Sequence, residues 1–190
     1  MGLSKNTLYL TFDDGPHPVI TETVLNILKK YNAKASFFCI GDNVAKYPDT
    51  YQRILSEGHT IGNHTYNHLN GWKTGDEEYL SNTRRASELI QSRLFRPPYG
   101  KIKMSQKRKL MYGEMKMKII MWSVLSGDFD KRLTPERCAR YVIRSSKPGS
   151  IIVFHDSEKA AERMLFALPK VLEHFSALGY RFDRIEEGMI

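Results

Sequence analysis

Two adjacent carboxylates, Asp13 and Asp14, follow the apolar run Leu8-Tyr9-Leu10-Thr11-Phe12 and precede Gly15-Pro16. Asp, Gly and Pro are common turn residues, but a turn does not explain two like charges side by side. Such a pair repels unless a cation or a proton compensates it. A cation site is within reach of the composition. His64 and His68 are four apart, which on a helical turn brings two imidazoles to one face, roughly 5–6 Å apart at Cβ. Two imidazoles and a carboxylate are a mixed N/O donor set for a divalent ion. Three protein ligands leave positions open for water and substrate, as catalytic sites do and closed structural zinc sites do not. Zinc peptidases carry a Glu base between their histidines, as H-E-x-x-H. Here those positions read Thr65-Tyr66-Asn67, so the base comes from elsewhere, and one carboxylate of the Asp13-Asp14 pair is available once the other holds the ion.

Further groups able to move protons or bind anions also follow apolar runs. They are Arg96-Pro97-Pro98-Tyr99-Gly100, the segment Trp122 to Phe129 containing Asp128, and His155-Asp156 after Ile151-Ile152-Val153-Phe154. One apolar run ending in such groups carries little weight, whereas five predict a shared rim.

The elements that would have to position these residues alternate in type. The patterns predict strands over Thr7–Phe12, Lys34–Ile40, His59–Gly62, Leu94–Arg96, Met117–Val124, Ser150–His155 and Tyr180–Arg184. Helical periodicity falls between them, over Val19–Tyr31, Val44–Ser56, Gly75–Arg93, Ser105–Tyr112, Thr134–Ser145 and Ala160–Leu178. Thr134-Pro135 reads as an N-cap followed by proline at the first helical position, and Gly58 and Gly179 stand where a helix-ending glycine belongs. Alternation of this kind implies parallel βαβ units. About seven such alternations fit an α/β single domain with a closed or nearly closed barrel, with an open doubly wound sheet as the other arrangement. In both, active groups lie at the C-terminal ends of the strands.

Composition excludes several classes. The 190 residues suffice for one domain with a substantial core, and 41% hydrophobic with 26% charged residues is ordinary for a globular chain. No apolar run approaches the roughly 18–20 residues of a membrane span. The N-terminal MGLSKNT has no apolar signal core, so the expectation is a cytoplasmic protein or one from which a leader has been removed. The formal charge of +8 admits an anionic partner. The densest basic cluster, Lys101 to Lys109, reads as a solvated helix face, and no nucleic-acid motif accompanies it. Cys39 and Cys138 lack metal or redox spacing and read as buried free thiols. His17 reads as a loop residue, and His59 and His174 as helix-end or surface residues. Trp72 fits equally a sugar-stacking platform and a barrel cap. Glu158, Lys159 and Glu162 read as a solvated helix start.

The ordered motifs TFDDGP at 11–16, HTYNH at 64–68, RPPY at 96–99, LSGDF at 125–129 and IIVFHD at 151–156 resemble those of the NodB-like polysaccharide deacetylases, the fourth carbohydrate esterase family. The resemblance runs from about residue 8 to 184, within a single domain spanning 1–190. It implies a distorted (β/α) barrel and metal-dependent removal of acetyl groups from N-acetylated sugars of a chitin-like or peptidoglycan-like polymer. Carried onto this chain, it implies Asp13 as general base, oriented by Arg96. Asp14, His64 and His68 would be ligands of one divalent metal, Zn2+ first, with Co2+ or another divalent ion as an alternative. His155 would be the general acid, tuned by Asp128, with the Tyr99 backbone N–H at the oxyanion and Ile152 lining the acetyl-methyl pocket. The fourth motif departs: Leu125 stands where the family often has Asp, and Phe129, a substrate-cleft residue, stands where it often has Trp. The implied partner is an acetylated carbohydrate polymer or oligomer, the chain acting as a monomer. Alternatives are the same site acting on an O-acetyl ester such as acetylxylan, and a catalytically inactive carbohydrate-binding protein.

Overall fold

The computed structural model describes residues 6–189. Its strands are β1 Thr7–Asp13, β2 Ala35–Cys39, β3 Thr60–Asn63, β4 Leu94–Phe95, β5 Lys118–Ile119, β6 Val124–Leu125, β7 Ile151–His155 and β8 Arg181–Phe182. Its helices are α1 Ile20–Lys30, α2 Gly41–Lys46, α3 Pro48–Ser56, α4 Asp76–Ser87, α5 Met104–Tyr112, α6 Pro135–Ser145 and α7 Ala161–Ala177. The strands form one sheet in the order β5-β4-β3-β2-β1-β7-β6, with β8 paired to the start of β1. All pairings are parallel. Seven strands thus curl into a half-barrel, and no ladder joins β5 to β6 among the described residues.

β1 is central and buried along its whole length, as a parallel strand covered on both faces must be. Its alternation sorts the barrel. Leu8, Leu10 and Phe12 face the helical layer, where Phe12 stacks between Phe37 and Phe154 at centroid distances of 5.0 and 6.0 Å. Tyr9 faces the interior with Phe38, Leu94, Ile120 and Ile185. Thr11 and Asp13 share that inner parity, and the period of two brings the strand's last carboxylate inside.

Three expected elements differ. The helix expected over Val44–Ser56 is two helices, because Pro48 has no N–H to continue α2 and instead opens α3 at its first position. The strand expected over Met117–Val124 is the separate pair β5 and β6, whose linker carbonyls, Ile120 O and Met121 O, accept hydrogen bonds from the Arg96 side chain instead of a strand. The helix expected over Gly75–Arg93 ends at Ser87, where tightened bonds such as Leu89 N–H to Ala86 O turn the chain toward β4. The punctuation is as expected: Thr134 accepts from Arg137 N, Pro135 opens α6, and Gly58 and Gly179 take φ of 77° and 74°. Both cysteines are free and buried, and no helix among the described residues is long and apolar enough to cross a membrane.

Candidate active site

β1 delivers the two carboxylates to opposite tasks. Asp13 is its last residue, in register with His155 of β7 on one side and Phe38 of β2 on the other. Asp13 Oδ1 accepts a hydrogen bond from Arg96 Nη1 at 2.7 Å. Arg96 is fully buried, also donates to Thr11 Oγ1 at 2.7 Å, and lies 4.0 Å over the Phe38 ring. Its guanidinium therefore fills the barrel interior at the open seam while it fixes the carboxylate.

Asp14 leaves the strand with φ 83°, which turns its side chain away from Asp13. Its carbonyl accepts from Asn43 Nδ2 at 2.7 Å. The turn continues through Gly15, whose N–H donates to Asp156 Oδ1 at 2.9 Å. A Cβ at this position would sit 2.1 Å from Asp156 Oδ2, so only glycine permits that approach. Asp156 also accepts from Thr21 Oγ1; burial, with the Asp14 charge beside it, pushes its carboxyl up to about 7.

His64 and His68 do not lie on a helix. Thr65 and His68 adopt φ of 63° and 60°, Thr65 N donates to Asn63 Oδ1, and Leu69 N donates to Thr65 Oγ1. This side-chain-braced loop still brings the two imidazoles to 5.1 Å between centroids, so the proximity expected from a helical turn is reached by a different backbone. His64 Nδ1 lies 2.7 Å from the Arg96 carbonyl. Donation there leaves Nε2 with a free lone pair, and Nε2 faces Asp14 Oδ1 at 3.8 Å. His68 Nε2 faces the same oxygen at 3.3 Å.

The three ligand atoms lie within 4.8 Å of one another. Asp14 Oδ1 is buried and has no hydrogen-bond partner, an orphaned acceptor between two imidazole lone pairs. Burial holds His64 down to about 4, hence neutral. Burial also acts to raise Asp14, but the facing His68 imidazole and the charge of His155 outweigh it and hold the carboxyl low. Neutral imidazole and ionised carboxylate are the forms that bind a metal, so these residues fit a divalent ion.

Opposite stands His155. Its Nδ1 and its backbone N–H meet the two oxygens of Asp128, each at 2.7 Å. Asp128 is fully buried, and its carbonyl accepts from Arg163 Nε. Burial works against the imidazolium, but the Asp128 hydrogen bond and charge, with Asp13 and Asp14, carry His155 up to about 9. The Phe129 ring stands edge-on to His155 at 5.3 Å, and the Tyr99 ring lies 4.5 Å from His68.

These groups line one cleft of about 500 Å³. Of the residues expected at the site, Asp13, Asp14, His64, His68, Tyr99, Phe129 and His155 line it, while Arg96 and Asp128 support it from behind. Ile152 does not reach it. Ile152 faces the helical layer and belongs to the main core; Val153, on the opposite face of β7, lines the cleft together with Leu125. Parity with His155, two residues on, is the sequence signal that picks Val153. Trp122, to which no role was assigned from sequence, lines the cleft, whereas Trp72 is exposed and donates its Nε1–H to Ile102 O. His59 follows the end of α3, one of the two places expected for it, and its N–H donates to Ile54 O; its ring is buried, not at the surface, and accepts from Ala35 N. His17 caps the start of α1, its Nδ1 accepting from Ile20 N, and His174 is exposed.

Carboxylates, imidazoles and their buried partners thus gather on one rim at the strand ends of an open parallel (β/α) barrel. The sequence model of the family described as polysaccharide deacetylase matches residues 2–117. A peptidoglycan-N-acetylglucosamine deacetylase of Bacillus cereus is 35% identical over 186 residues, which is 94% of this chain and 66% of that relative. A chitooligosaccharide deacetylase of Azorhizobium caulinodans is 34% identical over 160 residues, 80% of this chain and 75% of that relative. The solved structure of a peptidoglycan N-acetylglucosamine deacetylase in complex with an N-hydroxybenzamide superposes with a TM-score of 0.89 at 34% identity, covering 97% of this chain and 88% of that one. The chain belongs to the polysaccharide deacetylase family.

Proposed function

We propose that this chain is a divalent-metal-dependent deacetylase that hydrolyses the acetamide of N-acetylated sugars in a polysaccharide of the peptidoglycan or chitin type. The observation that carries the reading is the placement of Asp13 and His155 in register on adjacent strands, each with its own buried partner, beside Asp14, His64 and His68. Asp14, His64 and His68 would hold the ion, and the N2O donor set suits zinc. When bound, the ion supplies a charge that polarises the acetyl carbonyl and acidifies water.

The remaining work falls to the chain. Arg96 fixes one oxygen of Asp13, so the carboxylate is oriented to accept a proton from the attacking water. His155, charged and aimed by Asp128, donates a proton to the amine nitrogen as the C–N bond breaks, giving acetate and a free amine. An amide needs that proton because its amine is a poor leaving group, and each such transfer is worth roughly 10²–10⁴-fold. The Tyr99 backbone N–H serves the oxyanion, and Val153 and Leu125 form the wall that accepts the acetyl methyl.

The test compares Asp13→Asn and Asp14→Asn for zinc content and for acetate release from N-acetylglucosamine oligomers, peptidoglycan strands and acetylxylan. Asp14→Asn should lose the metal, because a neutral amide oxygen replaces an anionic donor. Asp13→Asn should keep it and lose activity by roughly 10²–10⁴-fold. Equal metal loss in both variants would make Asp13 a ligand, and release from the ester alone would reassign the substrate.

A further inference from the structure

The mouth of the cleft carries two cations that the chemistry above does not use. Lys101 follows Tyr99 and Gly100 on the β4 side, and Lys159 follows His155 and Ser157 on the β7 side; both line the cleft. In the sheet order, β4 and β7 lie on opposite sides of β1, so the two ammonium groups flank the reacting centre. Neither makes a salt bridge among the described residues. Lys101 Nζ lies 5.1 Å over the exposed Trp72 ring and Lys159 Nζ 5.8 Å over Phe129, contacts that position a cation without neutralising it. Glu158, the acid nearest in sequence to Lys159, faces His17 instead, at 3.7 Å.

The carboxylates inside the cleft leave nothing for these lysines to balance. Asp13 faces Arg96 and Asp128 faces His155, and Asp14 belongs to the candidate ion site. A cleft whose inner charges are matched and whose two rims are cationic favours an anionic ligand by focusing its field on the entrance. A neutral N-acetylglucosamine polymer gains nothing from such a rim.

We propose that Lys101 and Lys159 are specificity-determining residues that read carboxylates on the sugars either side of the reacting acetamide, so that the preferred substrate is an acidic glycan strand and not a neutral one. This assignment rests on the deacetylase reading above. Tyr99 and Phe129 place the scissile sugar between the two rims, and Lys101 and Lys159 meet acidic substituents on its neighbours.

The test measures kcat/KM for acetate release from two strands of equal length, a neutral N-acetylglucosamine oligomer and a strand in which alternate sugars carry a carboxylate-bearing ether. The variants are Lys101→Gln, Lys159→Gln and the double, assayed at low salt and at 0.3 M NaCl. Each single change should lower the ratio of kcat/KM for the acidic over the neutral strand by about two- to fivefold, the range of an exposed ion pair. The double should lower it further, and 0.3 M salt should shrink the wild-type preference by screening. Equal changes on both strands, or a wild-type ratio that salt leaves untouched, would overturn the assignment while leaving deacetylation intact. No acetate from either strand with metal-loaded wild type would overturn the deacetylase reading and this one with it.

Discussion

Arg96 Nη1 lies 2.7 Å from Asp13 Oδ1 with both side chains buried. The pair joins β4 to β1 across the barrel interior and makes an ionised carboxylate tolerable there. Replacing Arg96 by Met strands the Asp13 charge and should cost about 3–5 kcal/mol. Adding Asp13→Asn to that variant should recover part of the loss, because the stranded charge is gone. Urea unfolding of the two single variants and the double supplies the coupling energy, and strictly additive losses would mean that the two side chains do not act as a pair.

His155 carries the pH dependence. Its raised position, up to about 9 from the ordinary 6.5, means that the folded state binds the proton more tightly than the unfolded state. The Asp128–His155 pair therefore stabilises in full below about 6.5, and that contribution is lost as pH rises through about 9. Titration of the imidazole by NMR in the metal-free protein should place it well above 6.5, and Asp128→Asn should lower it. A bound ion would set a second positive charge nearby, so the basic limb of the rate profile of the metal-loaded protein should lie below the pH at which the metal-free imidazole titrates. An imidazole titrating near 6.5 in the metal-free wild type would remove Asp128 as the group that holds the acid charged.

Ile152 and Val153 should separate stability from activity. Ile152 packs in the core and Val153 lines the cleft. Ile152→Val should cost about 0.5–1.5 kcal/mol with kcat/KM nearly unchanged. Val153→Phe should narrow the cleft and lower kcat/KM by roughly 10–200-fold, with a smaller effect on the melting temperature. The opposite pattern would reverse the parity of β7.

Gly15→Ala places a methyl carbon 2.1 Å from Asp156 Oδ2. The Asp13-Asp14 turn or Asp156 must shift, at a cost of about 1–3 kcal/mol, and activity should fall as the two carboxylates move. Asp156→Ser in the Gly15→Ala background makes room and should restore part of the melting temperature. A Gly15→Ala variant with wild-type stability and rate would show that the approach of Gly15 to Asp156 does not hold the turn.

Leu125→Asp and Phe129→Trp each restore the residue that the family often carries in the fourth motif. Both positions line the cleft but lie outside the Asp14, His64 and His68 cluster. The ranking of acetylated substrates should change while zinc content stays at the wild-type level. Loss of metal in either variant would show that this loop shapes the ligand cluster.

The linear sequence determined which residues could do chemistry, because carboxylates, imidazoles and an arginine at the ends of apolar runs are legible from type and spacing. It also determined the alternation of strands and helices, since periods of two and 3.6 are local properties. Relationships between distant segments were decided by the tertiary structure. The proximity of His64 and His68 comes from positive φ at Thr65 and His68, a conformation held by Asn63 and Thr65 side chains and not dictated by the spacing itself. The residue that lines the cleft depends on which face of β7 turns inward, and a shift of one residue exchanges Ile152 for Val153. The break between β5 and β6 follows from Arg96, 24 residues before Ile120, taking that linker's carbonyls as acceptors. Side-chain type is written locally, but burial, register and the partner of a charge are set only when the chain closes on itself.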